Sequence, residues 1–232
     1  MIYFSIIIPV FNEAKNIKNL IKEIYLYLKD YKGQFEIVIV DDCSIDNTSD
    51  ILLILKKEFS LRIIKNLQNS GQSYSIYKGV KMAKHKLIIT IDGDGQNHPK
   101  DILKLLETYK KNKNIKLISG IRQKRKDSIV KKLSSIMANK IRSKIFNDNC
   151  IDTGCSLKMF DKNIFLQFPF FNGIHRFIPT LFASKNLNIK YINVEHRQRL
   201  FGKSNYGTID RLFKGIIDII RVHRIIKNFN ND

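Results

Sequence analysis

Cysteine is scarce in this 232-residue chain, and the three present, Cys43, Cys150 and Cys155, are an odd number with no Cys-x-x-Cys spacing. That argues against a disulfide framework or a zinc knuckle, and reduced thiols are the simplest expectation. Glycine (11) and proline (4) are too few for a long flexible region. No internal repeat or low-complexity segment breaks the chain. Nowhere do roughly 18 uncharged apolar residues run together, so no spanning helix is expected; the best late stretch, Ile216 to Ile220, is interrupted by Asp218. The apolar start, Met1 to Phe11, has neither a basic leader nor a small-residue cleavage site and contains Pro9. It reads as a first core strand rather than a signal peptide. Acids are the other shortage: 21 Asp and Glu against 41 Lys and Arg leave a net charge of +20. Such a field favours anionic partners, whether nucleic acid, an anionic membrane surface or phosphorylated substrates, and it fits a merely Lys-rich composition equally well.

What is present is globular, with 44% hydrophobic and 27% charged residues in a length that suits one domain. Apolar runs of strand length, Ser5 to Val10, Glu36 to Val40, Leu61 to Lys65, Leu87 to Ile91 and Ile115 to Ser119, alternate with helical periodicities. The helices are expected over Ala14 to Leu28, Asp46 to Glu58, Gln72 to Ala83 and Pro99 to Lys110. This alternation predicts an α/β fold around a mostly parallel, doubly wound sheet. Further on, the pattern predicts helices over Ile129 to Phe146, Ile174 to Ser184 and about Ile209 to Ile226, and strands near Leu157 to Phe160 and Ile189 to Val194.

Three strand ends carry acids: Asn12 and Glu13 after the first, Asp41 and Asp42 after the second, Asp92 and Asp94 after the fourth. In a parallel sheet these ends are neighbours and open on one crevice. Clustered carboxylates there call for a cation or hydrogen-bond donors. Asp92-Gly93-Asp94-Gly95-Gln96 offers carboxylate and amide oxygens that suit a hard divalent cation, Mg²⁺ or Mn²⁺. A plain turn, with Asp42 to Ser44 and Asp46 as helix caps, accounts for the same residue types.

Several blocks in order, Ser5 to Glu13, Val40 to Asp46, Asn69 to Ser73, Asp92 to Asn97, Gly120-Ile121-Arg122, Asp152 to Lys158, His175 to Pro179, His196 to Arg199 and Gly202 to Gly207, resemble family-2 glycosyltransferases. More narrowly, they resemble the dolichol-phosphate mannose synthase group and its bacterial polyprenyl-phosphate relatives. The resemblance implies a single GT-A (Rossmann-like) domain over residues 1–207, followed by an amphipathic helix and tail over 208–232. It implies an inverting, metal-dependent transfer of a hexose, of mannose or glucose type, from a GDP- or UDP-linked nucleotide sugar to a dolichyl or undecaprenyl phosphate. Pro9, Phe11, Glu13, Asp41, Asp42, Gln72 and Asp92 would hold the nucleotide sugar, and Asp92, Asp94 and Gln96 the Mg²⁺ or Mn²⁺. Arg122, Arg197, Arg199, Lys203 and Ser204 would hold the acceptor phosphate, since Arg forks recognise phosphate bidentately. The implied catalytic positions are Asp94, Asp152 and Arg199, with Asp152 positioning the acceptor or acting as base. The family commonly has Lys at Asn205 and Gly at Cys43, so a phosphate contact and a backbone geometry are open there.

In the last helix Ile209, Leu212, Phe213, Ile216, Ile219, Ile220 and Ile226 recur at three- and four-residue spacing, with Arg211, Lys214, Arg221 and Arg224 between them. Such a helix lies in a membrane headgroup region, covers the sheet or forms a dimer contact. With a lipid acceptor, the expectation is a cytoplasmic protein held peripherally on the inner membrane face. A saccharide or protein acceptor is the alternative. A nucleic-acid-binding role is disfavoured, because the basic residues are not organised with aromatics into a recognised module.

Overall fold

Seven consecutive buried residues make β1 (Phe4–Val10) an interior strand of the sheet, with a parallel neighbour on either side. The computed structural model describes residues 1–123, 142–146, 148–198 and 208–229, the last stretch with side chains from 217 to 228. Besides β1 the sheet contains β2 (Phe35–Asp41), β3 (Leu61–Lys65), β4 (Leu87–Thr90), β5 (Leu117–Arg122), β6 (Lys158–Asp161) and β7 (Ile189–Val194), in the order β3-β2-β1-β4-β6-β5-β7. Among these strands β6 alone runs against the others. The expected α/β fold with a mostly parallel sheet is therefore present.

Helices pack on both faces: α1 (Ala14–Leu28), α2 (Thr48–Glu58), α3 (Gln72–Met82), α4 (Asp101–Lys111), the single turn α5 (Lys162–Phe165), α6 (Ile174–Ser184) and α7 (Thr208–Phe229). Side chains of a strand alternate between faces, and β1 shows the consequence. Ile6 and Ile8 enter a core with Ile17, Ile21, Ile24 and Leu105, while Ile7 enters a second core with Ile76, Phe160 and Phe182. Each such burial contributes about 1.5–3 kcal/mol. A one-residue slip would exchange the two sets, so the register of β1 is firmly set.

The antiparallel course of β6 and the turn α5 were not legible from periodicity. A four-residue strand and a four-residue helix are too short to show one, and α5 is set by Asp161, which accepts the N–H groups of Asn163 and Ile164. Of the helix expected over 129–146, residues 142–146 are helical and 124–141 lie outside the described residues. α7 packs on the protein: Val222 is fully buried, and Ile219, Ile225 and Ile226 pack against the second core. Asp218 pairs with Arg176 on α6. Among the described residues no helix is long and apolar enough to cross a membrane.

Candidate active site

The register of the sheet brings the acidic strand ends together. Val10 at the end of β1 lies opposite Asp41, which lies opposite Lys65 at the end of β3. Because β6 is reversed, its first residue, Lys158, meets Thr90 at the end of β4 and Ser119 on β5. The loops after β1, β2, β4 and β5 and the segment before β6 thus share one edge, where open α/β sheets bind ligands.

The first two of these loops are tied to each other. Asn12 N–H donates to Ser44 Oγ at 3.0 Å, and Asn12 Oδ1 accepts from Ile45 N–H at 2.9 Å. Glu13 N–H donates to Thr48 Oγ1 and Ala14 N–H to Asp46, so side chains of the second loop satisfy the open amides at the start of α1. Asp46 also accepts from Thr48 N–H at the start of α2, the capping role its position suggested. Cys43 adopts φ 62°, so the left-handed backbone that glycine would favour is kept at this position.

Asp41 and Asp42 part company at this edge. Asp41 accepts from Ser44 N–H at 2.9 Å and from the Ser49 hydroxyl at 2.6 Å, organising the loop. It does not line the adjoining cavity. Asp42 lines that cavity of about 380 Å³ together with Pro9, Phe11, Glu13, Gln72 and Asp92. Its carboxylate accepts from the N–H groups of Ser70 (2.9 Å) and Gly71 (2.7 Å) and from the Asn66 amide (2.7 Å). The volume is that of a site for a small organic ligand.

Asp92 and Asp94 form the far wall. Gly93 lets them cross β1 closely: a Cβ there would lie 2.7 Å from Val10 Cγ1 and 3.3 Å from the Pro9 carbonyl oxygen. Burial, and then the neighbouring Asp94 charge, push the Asp92 carboxyl up to about 6. Its Oδ1 accepts from Gln72 Nε2 at 2.7 Å, which draws Gln72 to the cavity wall. Asp94 accepts from Gln96 N–H at 3.1 Å. Gln96 is turned toward the exit of β7, its side-chain amide donating to the Arg197 carbonyl at 3.3 Å and its own carbonyl accepting from Arg197 N–H at 2.8 Å. Among the described residues no group of three or more His, Cys, Asp or Glu converges as a ready-made metal cage. The oxygen donors here are a pair of carboxylates.

A second cavity of about 110 Å³ lies behind Asp92, lined by Gln72, Asp92, Gly154, Lys158, His175 and Arg176 among others. Lys158 is 2% exposed and donates to the carbonyls of Cys155 and Thr153. Burial lowers its pKa. Beside the cavity, Arg122 grips Asp152 with two side-chain bonds of 2.8 and 2.7 Å. Burial alone would lower the Arg122 pKa, but the hydrogen bonds and charge of Asp152 outweigh it and raise it. A Cβ at Gly154 would lie 2.7 Å from Arg122 Nη2, so a side chain there would push the guanidinium off Asp152.

The residues expected to bind phosphate are thus only partly assembled. Arg122 is at the edge but pairs with Asp152. The Arg197 guanidinium pairs with Glu23 on α1 at 3.0 and 2.9 Å, linking the β7 exit to α1. Arg199, Lys203 and Ser204 lie outside the described residues. Sequence reasoning overlooked Lys158 as a site residue; the available signal was a lysine at the head of the apolar run Met159-Phe160. It also overlooked Asn66, which follows β3 and reaches Asp42.

Residues 5–168 match Glycosyl transferase family 2. Over 223 residues the chain is 33% identical to a dodecaprenyl-phosphate galacturonate synthase of Rhizobium johnstonii, covering 94% of this chain and 65% of the relative. Over 220 residues it is 30% identical to an undecaprenyl-phosphate 4-deoxy-4-formamido-L-arabinose transferase of Edwardsiella ictaluri, covering 94% and 67%. The chain thus spans about two thirds of the length of the curated relatives it matches. Among solved structures, glucosyl-3-phosphoglycerate synthase from Mycobacterium tuberculosis, in complex with Mn²⁺, UDP and glucosyl-3-phosphoglycerate, superposes with a TM-score of 0.70 at 17% identity, covering 94% of this chain and 77% of that one. The fold is therefore that of the GT-A glycosyltransferases. The chain belongs to glycosyltransferase family 2.

Proposed function

We propose that this chain transfers a sugar from a nucleotide sugar to a polyprenyl phosphate, with inversion at the anomeric carbon. The observation that carries the reading is the convergence of Asp42 and Glu13 with Asp92 and Asp94 around one cavity of about 380 Å³. The acceptor class comes from the printed names of the relatives. In this reading Pro9, Phe11, Glu13 and Asp42 face the nucleoside. The diphosphate lies along Asp92 and Asp94.

The donor set fits Mg²⁺ or Mn²⁺. A hard cation of this kind is usually held by one or two carboxylates and completes its shell with phosphate oxygens and water. Asp92 and Asp94 supply that pair, and the rise of Asp92, from burial first and the Asp94 charge second, is one that a bound cation would relieve. When bound, the ion would neutralise the diphosphate leaving group.

The chain's own residues position the reactants and balance charge. An acceptor phosphate monoester, with a second pKa near 6, is already mostly a dianion at neutral pH. Its oxygen forms the new bond to the anomeric carbon as the bond to the diphosphate oxygen breaks, and no protein base is needed. The capture of Asp152 by Arg122 supports a positioning role for that acid. Arg199, Lys203 and Ser204 are proposed as acceptor-phosphate ligands, and the protein is proposed to work at a membrane surface. The sugar is proposed to be a hexose of mannose or glucose type, whereas the Rhizobium relative is named for galacturonate and the Edwardsiella relative for 4-deoxy-4-formamido-L-arabinose.

The test is transfer from labelled GDP- and UDP-sugars to a short polyprenyl phosphate, with Mg²⁺, with Mn²⁺ and with chelator. Label entering the organic phase only with metal is the expected result. Metal-dependent nucleotide-sugar binding without lipid labelling would overturn the acceptor and point to a saccharide or protein.

A further inference from the structure

Ser73, the second residue of α3, meets His175, the second residue of α6. Ser73 Oγ accepts from Gly173 N–H at 2.8 Å and lies 2.8 Å from His175 Nδ1. Ser73 is 1% exposed. A hydroxyl carries one hydrogen, and among the described residues the one hydrogen-bond contact of this hydroxyl besides the Gly173 N–H is His175 Nδ1. Were Nδ1 protonated, that buried hydroxyl hydrogen would have no partner, which is costly. The hydrogen-bond network therefore assigns the Ser73 O–H as donor to Nδ1 and places the imidazole proton on Nε2. Burial first, and the neighbouring Arg176 and Lys158 charges next, hold the ring neutral, with its pKa lowered to about 3.

His175 lines the 110 Å³ cavity, and Nε2–H has no acceptor among the described residues. This cavity shares Gln72 and Asp92 with the larger one, so its occupant continues the ligand beyond the diphosphate. We infer that His175 acts as a neutral hydrogen-bond donor, through Nε2–H, to an oxygen of the sugar being transferred. The inference rests on the glycosyl-donor reading given above and adds a residue that recognises the sugar separately from the nucleotide.

Two substitutions separate the ring's two nitrogens. His175→Gln places an N–H near the Nε2 position, whereas His175→Asn reaches only as far as Nδ1 and keeps the Ser73 contact. The affinities of a GDP- or UDP-sugar and of the matching nucleoside diphosphate are measured calorimetrically with Mn²⁺ for each variant, using the panel member that binds the unaltered chain best. His175→Asn is expected to weaken the nucleotide sugar about tenfold and leave the diphosphate unchanged, with His175→Gln close to the unaltered chain. ¹⁵N NMR of the histidines is expected to show an unprotonated Nδ1 and a protonated Nε2. A protonated Nδ1, or a His175→Asn variant that binds the sugar nucleotide normally, would overturn the inference. Failure of the unaltered chain to bind either nucleotide would instead strike the glycosyl-donor reading, and this inference with it.

Discussion

The Arg122 guanidinium holds the Asp152 carboxylate through Nε at 2.8 Å and Nη2 at 2.7 Å, and the Arg122 backbone N–H adds a third bond at 3.1 Å. Sequence reasoning gave these residues separate duties, a phosphate ligand and an acid near the acceptor. The reversed strand β6 makes them one unit, because the segment leading into it returns to the end of β5. Asp152 is consequently neutralised and oriented before any substrate arrives. Breaking a largely buried pair from one side leaves the other charge unmatched, at a cost of about 3 kcal/mol. Asp152→Ala and Arg122→Ala should each destabilise by about that amount, and the double variant by clearly less than the sum. Strict additivity in denaturant titrations would show that the pair is not coupled.

Asp92 should oppose stability in metal-free protein. Its carboxyl is raised from 3.8 to about 6, so between those values the native state binds more protons than the unfolded one. Stability from this group is present at low pH and is lost as pH rises through about 6. Asp92→Asn should therefore stabilise the metal-free protein at pH 7 by about 3 kcal/mol and have little effect near pH 4. The same variant should lose the thermal stabilisation that Mn²⁺ with nucleotide gives the unaltered chain. A fully retained shift in melting temperature would remove Asp92 from the metal site.

His175 pulls the other way. Its pKa is lowered to about 3 by burial, so below about 6.5 the unfolded state binds the extra proton and stability falls as the solution is acidified. The slope from this one group approaches about 1.4 kcal/mol per pH unit in the window between those values. His175→Gln should flatten the acid limb of the stability profile measured by urea unfolding at stepped pH. An unchanged limb would mean that the ring is protonated in the folded protein.

Cys43 holds a left-handed backbone at φ 62° without being glycine. A side chain in that region costs about 1 kcal/mol or slightly more, and glycine's extra unfolded-state entropy offsets part of the gain. Cys43→Gly should raise stability by about 0.5 kcal/mol and leave nucleotide binding intact. A lower melting temperature would show that the thiol contributes more than the strain removes.

Asp94→Ala should abolish metal-dependent nucleotide-sugar binding while leaving the fold in place, since its partner Gln96 is held independently by the backbone of Arg197. Calorimetry with and without chelator, beside a melting curve, separates the two effects. Full activity in this variant would remove the metal assignment.

The sequence alone determined the elements whose apolar spacing runs long enough to be read. α1 (Ala14–Leu28), β3 (Leu61–Lys65), α6 (Ile174–Ser184) and β7 (Ile189–Val194) begin and end where periodicity set them. It also placed the acids at strand ends, because a buried parallel strand can release its first polar residue only at its edge. Which acids face the cavity was decided by tertiary structure. Asp41 and Asp42 are adjacent on the chain and so point to opposite sides, one into its own loop and the other toward the ligand cavity. Arg197 shows the same limit: its basic character fits a phosphate ligand, yet Glu23, 174 positions away, claims it. Spacing along a chain reports which residues share a face. Which distant charge reaches a guanidinium first depends on how the faces are stacked, and that emerges only when the sheet order is known.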